Sequence, residues 1–309
     1  MKALAISGRG EAPEVVDVAD AAAPAPGEVR VAVEAASVNG FDIGVAAGRF
    51  WDVMPHEFPV VLGRDYVGTI DAIGEGVEGL QVGDRVAGVV VAPGLGRGSL
   101  GERVTSGASA VAHVPDGMSV EDAAAVGLAA VTALDAVDAL AVSEGDVVLV
   151  SGATGGVGLF AVQLAAARGA RVIATARPGT GEELLRSLGA GEVVDYAGNL
   201  PAAVRAVAPD GVTKALHAAG DPAALAATLR PGGQLASLLG AGPEQVGRSD
   251  VTVSSLFAQA SRDKLAGLLA RVADGRLRVH VSTTVPLDRA TEALTAFGGG
   301  KLGKVLVTG

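Results

Sequence analysis

Short apolar runs broken by glycine and proline fill the first third of the chain. Residues 3–6, 15–16 and 29–33 predict strands, and in the last of these alternation puts Val29, Val31 and Val33 on one face. Val60-Val61-Leu62-Gly63 leads into an apolar stretch at 66–73, residues 74–83 are rich in turn formers, and 84–91 predicts another strand. Short strands at this spacing fit a partly open β-barrel better than a βαβ array. Ser119-Val120-Glu121-Asp122 has the form of a helix-capping box and opens an alanine-rich helix, where a new domain is expected to start.

The pattern then changes. Residues 147–150 read as a buried parallel strand, a glycine turn follows, and Val157, Phe160, Ala161, Leu164 and Ala165 recur at helical spacing up to Gly169. A second strand at 171–175 completes a βαβ unit. Strands are predicted at 192–195, 214–218, 233–239 and 251–253, with helices at 200–208 and 222–229 between them. This alternation predicts an α/β domain with a doubly wound parallel sheet. The tail predicts a helix over 256–273, a strand near Val279, a helix over 288–297 and a last strand at 304–307.

The turn after the first of these strands carries the chemistry. Aligned on G-x-G-x-x-G, its residues are Ala153, Gly155 and Gly158, with Gly152 one place earlier. The middle glycine lets the backbone approach a pyrophosphate, the last lets helix and strand pack closely, and the helix start offers free N–H groups to an anion. In a chain with 45 glycines the pattern alone has little weight. Its place between strand and helix makes Gly152, Ala153, Thr154, Gly155, Gly156, Val157 and Gly158 a candidate dinucleotide turn. Sites that prefer NAD usually end the second strand with an acid. Here Thr175, Ala176 and Arg177 stand there, with no acid until Glu182, and a guanidinium suits a 2′-phosphate. The cofactor expected is NADPH.

Composition narrows the remaining choices. A length of 309 residues leaves room for two cores, built mainly from Ala, Val and Leu because aromatic residues make up only 3%. The net charge of −10 argues against nucleic acid or an anionic membrane as main partner, so an anionic cofactor must be held by local geometry. With no cysteine, disulfides, thiol catalysis and Cys-ligated zinc are excluded. No basic, apolar leader and no bilayer-length apolar run is present, which makes the cytoplasm the expected location.

Several motifs recur in a fixed order: Ser37-Val38-Asn39-Gly40-Phe41-Asp42, Gly63-Arg64-Asp65-Tyr66-Val67-Gly68, Val82-Gly83-Asp84-Arg85-Val86, Leu229-Arg230-Pro231-Gly232-Gly233 and Gly303-Lys304-Val305. In these the chain resembles the medium-chain dehydrogenase/reductase superfamily, within it the zinc-independent quinone oxidoreductase branch. The resemblance implies a GroES-like catalytic domain from residues 1–118 and 255–309, a Rossmann domain from 119–254, and an active site in the cleft between them. It also implies a homodimer formed through the edge strand near 251–253. Zinc-dependent relatives place metal ligands where this chain has Asn39 and Arg64, neither a usual zinc ligand, so no metal is expected. His56, His113, His217 and His280 are scattered and read as loop or packing residues.

What chemistry is left is hydride transfer, which the cofactor performs once positioned, to an acceptor that is already electrophilic, such as a quinone or an enone. By the resemblance, Asn39, Asp42 and Thr132 lie near the nicotinamide, although Asp42 has the alternative of bracing a turn. Tyr196 would join Arg177 and Thr175 at the 2′-phosphate. Ala219, Gly220, Leu239 and Gly240 would follow the cofactor along the strand ends, and Ser254, Ser255 and Phe257 lie where the tail crosses. Phe50 and Trp51 replace a tyrosine often found in quinone-reducing relatives, and either wall the substrate or pack under their loop. Tyr66, on a predicted buried strand, is a poor acid, so the proton is expected from solvent. Two alternatives stay open: reduction of an enoyl thioester in polyketide or fatty-acid metabolism, and an NADPH-binding sensor without turnover.

Overall fold

The computed structural model describes residues 1–92, 94–300 and 302–309. In chain order its elements are β1 (Lys2–Ile6), β2 (Glu14–Asp17), β3 (Glu28–Val38), α1 (Gly40–Ala46), β4 (Val60–Val61), β5 (Asp65–Ile73), β6 (Arg85–Val89), β7 (Arg103–Gly107), β8 (Val111–His113) and α2 (Val120–Ala139). There follow β9 (Val147–Val150), α3 (Gly156–Ala166), β10 (Arg171–Thr175), α4 (Glu182–Ser187), β11 (Ala190–Val194), α5 (Leu200–Val207), β12 (Val212–His217), α6 (Pro222–Ala226), β13 (Leu229–Ser237), α7 (Pro243–Val246) and β14 (Thr252–Ser255). The last are α8 (Arg262–Ala273), β15 (Val281–Pro286), α9 (Ala290–Gly298) and β16 (Lys304–Thr308). They fall into two compact units, Met1–Val131 with Ala260–Gly309 and Thr132–Gln259, the division lying inside α2.

The first unit is the glycine-punctuated β domain. Its larger sheet runs β15-β16-β3-β5-β6-β8, with β7 also on β3, and a smaller sheet runs β2-β1-β4. Strand β3 shows why its far end can carry a site. It buries Val29 and Val31 in alternation, its register on β5 slips between Arg30 and Val31 and again between Val33 and Ala35, and all four residues from Ala35 to Val38 are buried. The C-terminal β16 pairs antiparallel with β3, setting Val305 opposite Val38. An aliphatic core of Leu4, Ile6, Val31, Ile70, Val86 and Val305 fills the unit.

The second unit is a six-stranded parallel sheet in the order β11-β10-β9-β12-β13-β14. The order reverses at β9, the kind of switch point at whose strand carboxyl ends open α/β sheets bind ligands. Leu149, Ile173, Val204, Leu225 and Leu235 form its core.

Two tail elements differ from the sequence expectation. The helix expected over 256–273 starts only at Arg262, because the Ser261 hydroxyl accepts from Lys264 N–H and caps it there, while Leu256 N–H still bonds Ser237 O beside β13. The strand expected near Val279 runs instead over Val281–Pro286, paired with β16. Among the described residues no helix is long and apolar enough to cross a membrane.

Candidate functional site

In the second unit the glycine turn has the form the motif requires. Gly152 sits at φ +66° and gives its N–H to Thr175 Oγ1 at 3.2 Å. Gly155 caps α3 with its N–H on Gly152 O at 3.0 Å. A Cβ on Gly158 would lie 2.3 Å from Gly152 O and 2.5 Å from Ala153 Cα, so this glycine is demanded by the closure of the turn itself. A Cβ on Gly155 would meet only Gly152 O, at 3.3 Å. The protein's own packing does not fill that space, as fits a position left clear for a pyrophosphate. Ala153 is buried, whereas Thr154, Gly155, Gly156 and Val157 are partly exposed around the open first turn of α3.

The strand ends around the turn divide into inward and outward groups. Thr175 and Ala176 are buried, so Thr175 acts on the turn and presents no hydroxyl outward. Arg177 is exposed, and its guanidinium carbon lies 5.8 Å from the centroid of the Tyr196 ring. Of the three residues expected at the 2′-phosphate, Arg177 and Tyr196 thus stand together, while Thr175 is buried with its hydroxyl on the turn. Ala219, Gly220, Leu239 and Gly240 are all exposed at the ends of β12 and β13, the two glycines at φ +85° and +80°. Ser254 and Ser255 end β14, Phe257 is 77% exposed beyond it, and Thr132 is half-buried on α2.

In the first unit, Asn39 and Asp42 belong to a buried polar cluster. Asn39 caps α1, its own N–H bonding Asp42 Oδ2 at 2.8 Å. Its Nδ2 donates to Ser37 O at 3.1 Å and to Asp65 Oδ1 at 3.2 Å, while its Oδ1 accepts from Lys304 Nζ at 2.7 Å. Both amide hydrogens are therefore spent inside the protein, and only an Oδ1 lone pair is left to offer. Asp42 Oδ1 accepts from Gly63 N–H at 2.9 Å, so this carboxylate braces the loop on both oxygens. Burial pushes the Asp42 carboxyl up to about 6, with Asp65 adding to the rise. Burial also lowers the Lys304 ammonium, against the pull of Asp65 and Asp42. Its Nζ lies 3.8 Å from Asp65 Oδ2, an ion pair rather than a hydrogen bond.

Asp65 accepts from Ser37 Oγ at 2.6 Å and from Leu128 N–H at 3.0 Å, at the Gly127 break in α2. Arg64 stacks its guanidinium 4.2 Å over the Phe41 ring and bonds Val90 O. Phe50 stacks on Phe41 at 4.8 Å, and Trp51, only 8% exposed, packs against His56 and Phe58. Of the two readings for these aromatics, Trp51 takes the one under the loop. Among the described residues the buried Tyr66 hydroxyl has no hydrogen-bond partner, and burial pushes its phenol up, which suits packing and not proton transfer.

Sequence reasoning named Asn39 and Asp42 but not the groups that hold them, Ser37, Asp65 and Lys304. These sat in plain view inside the Ser-Val-Asn, Gly-x-Asp and Gly-Lys-Val motifs, but nothing in the sequence says they meet. In the second unit it passed over Ser151 and Ser237 and read His217 as a loop or packing residue; all three are buried polar residues at strand ends.

Residues 25–116 match the family described as alcohol dehydrogenase GroES-like domain, and residues 188–307 the family described as zinc-binding dehydrogenase. A mycocerosic acid synthase-like polyketide synthase of Mycolicibacterium smegmatis is 34% identical over 308 residues, covering 92% of this chain. The chain spans only 14% of that synthase's length. A quinone oxidoreductase of Pseudomonas syringae superposes with a TM-score of 0.88 at 25% identity, over 100% of this chain and 99% of that one. A mycobacterial protein, Rv1454c, solved in complex with NADPH, superposes with a TM-score of 0.85 at 27% identity over the full length of both chains.

Proposed function

Because the chain belongs to the medium-chain dehydrogenase/reductase superfamily, in its quinone oxidoreductase branch, we propose that it is an NADPH-dependent reductase of quinones or activated enones. The observation that carries this reading is the pairing of Arg177 with Tyr196 at the end of β10, where no acid stands to receive ribose hydroxyls. NADPH, when bound, supplies the hydride. The turn at 152–158 would hold its pyrophosphate on the backbone N–H groups at the open start of α3, and Arg177 its 2′-phosphate. Two of the residues expected near the nicotinamide support an acceptor that needs little acid catalysis. Asn39 has no amide hydrogen to spare and Asp42 is held by two backbone N–H groups, while Lys304, which bonds Asn39, is buried. The proton that completes the reduction is then drawn from solvent. The reading includes a homodimer through β14.

A second reading, reduction of an enoyl thioester, is favoured by one finding, the 34% identity to a polyketide synthase over nearly the whole chain. One experiment separates them. Oxidation of NADPH and of NADH is followed at the nicotinamide absorbance with a set of quinones, an enone and a crotonyl thioester. Rapid turnover of NADPH with quinones is expected. Arg177→Ala is expected to raise KM for NADPH about tenfold, through loss of a charge-assisted contact, and to leave NADH unchanged. Turnover with the thioester alone would install the second reading, and binding without turnover by any acceptor would overturn both.

A further inference from the structure

Four adjacent strands of the parallel sheet each end in a buried polar side chain: Thr175 on β10, Ser151 after β9, His217 on β12 and Ser237 on β13. Buried polar groups are costly unless bonded, and here each bonds the backbone of a loop or its neighbour. His217 alone joins two loops. Its Nε2 lies 3.0 Å from Gly220 O and its Nδ1 3.0 Å from Ser237 Oγ. Ser237 Oγ already accepts from Leu239 N–H at 3.2 Å and Ala241 N–H at 3.0 Å, so its two lone pairs are taken and its own hydrogen must be donated. Among the described residues only His217 Nδ1 stands to receive it. That fixes the tautomer: Nδ1 is the acceptor and Nε2 carries the hydrogen given to Gly220 O.

The loops so joined are the ones exposed at the ends of β12 and β13. The other end of the first loop is held from β9, where Ser151 Oγ donates to Ala219 O and accepts from Ala218 and Ala219 N–H. The strand order gives the clasp its meaning. The glycine turn follows the central β9, Arg177 and Tyr196 lie on the β10 and β11 side, and the His217 loops lie on the β12 and β13 side. A dinucleotide with its pyrophosphate at the turn and its 2′-phosphate at Arg177 must send its other nucleoside toward loops 218–220 and 239–241.

We propose that His217 is a positioning residue that clasps these two loops together through Gly220 O and Ser237 Oγ, and so sets the affinity for the nicotinamide half of the cofactor but not for the adenosine half. This rests on the reading that the second unit binds NADPH. A loop already held in its bound form loses less freedom on binding, so opening the clasp costs affinity only for ligands that reach it.

The test compares NADPH with adenosine 2′,5′-bisphosphate, which carries the 2′-phosphate but no nicotinamide, by titration calorimetry. His217→Ala is expected to weaken NADPH about tenfold and to leave the bisphosphate within about twofold, since loss of a buried hydrogen-bonded link falls on one half only. His217→Asn retains a group for Ser237 Oγ at the place of Nδ1 but does not reach Gly220 O. It is expected to fall between wild type and His217→Ala for NADPH alone, and it carries the test if the alanine variant does not fold. Unchanged NADPH affinity, or equal weakening of both ligands in a folded variant, would overturn the clasp. Failure of the wild-type protein to bind either ligand would overturn the NADPH reading itself.

Discussion

Asp42 is buried with one carboxylate oxygen on Asn39 N–H and the other on Gly63 N–H, and its charge is disfavoured by lack of solvent. Its carboxyl is raised from 3.8 to about 6, so between those values the folded chain holds a proton that the unfolded chain has released. Stability from this group is therefore greatest at low pH and is lost as pH rises toward about 6. Asp42→Asn removes the titration and sets an amide hydrogen against one of the two N–H donors, a cost that does not vary with pH. The stability advantage of wild type over Asp42→Asn is expected to shrink by about 2 kcal/mol between pH 4 and pH 7, read from urea unfolding at each pH. A constant gap would show that the carboxylate is already ionised when folded at pH 4. The same cluster marks how far sequence reaches at this scale. Asn39 and Asp42 were legible because they lie three apart in one motif. Lys304, whose Nζ completes the Asn39 amide, lies 265 positions away and meets it only because β16 pairs with β3.

Within the β9-turn-α3 element, two glycines of one motif do different work. Gly158 is held by contact with backbone, since a Cβ there would lie 2.3 Å from Gly152 O. Gly158→Ala must push α3 away from the turn and is expected to destabilise by about 2 kcal/mol in thermal or urea unfolding, and to abolish nucleotide binding with it. Gly155 has φ −79° and ψ 168°, which alanine adopts without strain, and its Cβ would touch only Gly152 O at 3.3 Å. Gly155→Ala is expected to keep stability within about 0.5 kcal/mol while weakening NADPH at least about tenfold. An equal effect of both substitutions would show that the motif is only a structural turn. This element was legible because strand, turn and helix are all local in sequence, and β10 came out at the residues the pattern indicated, Arg171–Thr175. Less legible were α1 and α4, of 7 and 6 residues, too short to show a helical period. The start of α8 was missed because apolar spacing continued through Leu256 and Phe257, while a single serine cap decided the boundary.

At the scale of the whole molecule, the parallel sheet has two edges, and they differ. The β11 edge carries Glu192, ion-paired with Arg171 of the adjoining strand, whereas β14 (Thr-Val-Ser-Ser) has neither charge nor proline, the devices that usually keep an edge unpaired. Leu256 N–H bonds inward to Ser237 O, so by strand alternation the N–H groups of Val253 and Ser255 point outward from the sheet. Two chains related by a two-fold axis would satisfy these groups by pairing β14 with β14 into one continuous sheet. Light scattering is therefore expected to give twice the 30.3 kDa of one chain. Val253→Pro deletes an outward N–H but leaves the ladder to β13 intact, as proline is tolerated where an edge N–H faces out. It is expected to yield a folded monomer, with a far-ultraviolet spectrum like that of wild type. A wild-type monomer, or a proline variant that stays dimeric, would mean that β14 is a free edge and that the subunits, if they pair, do so elsewhere.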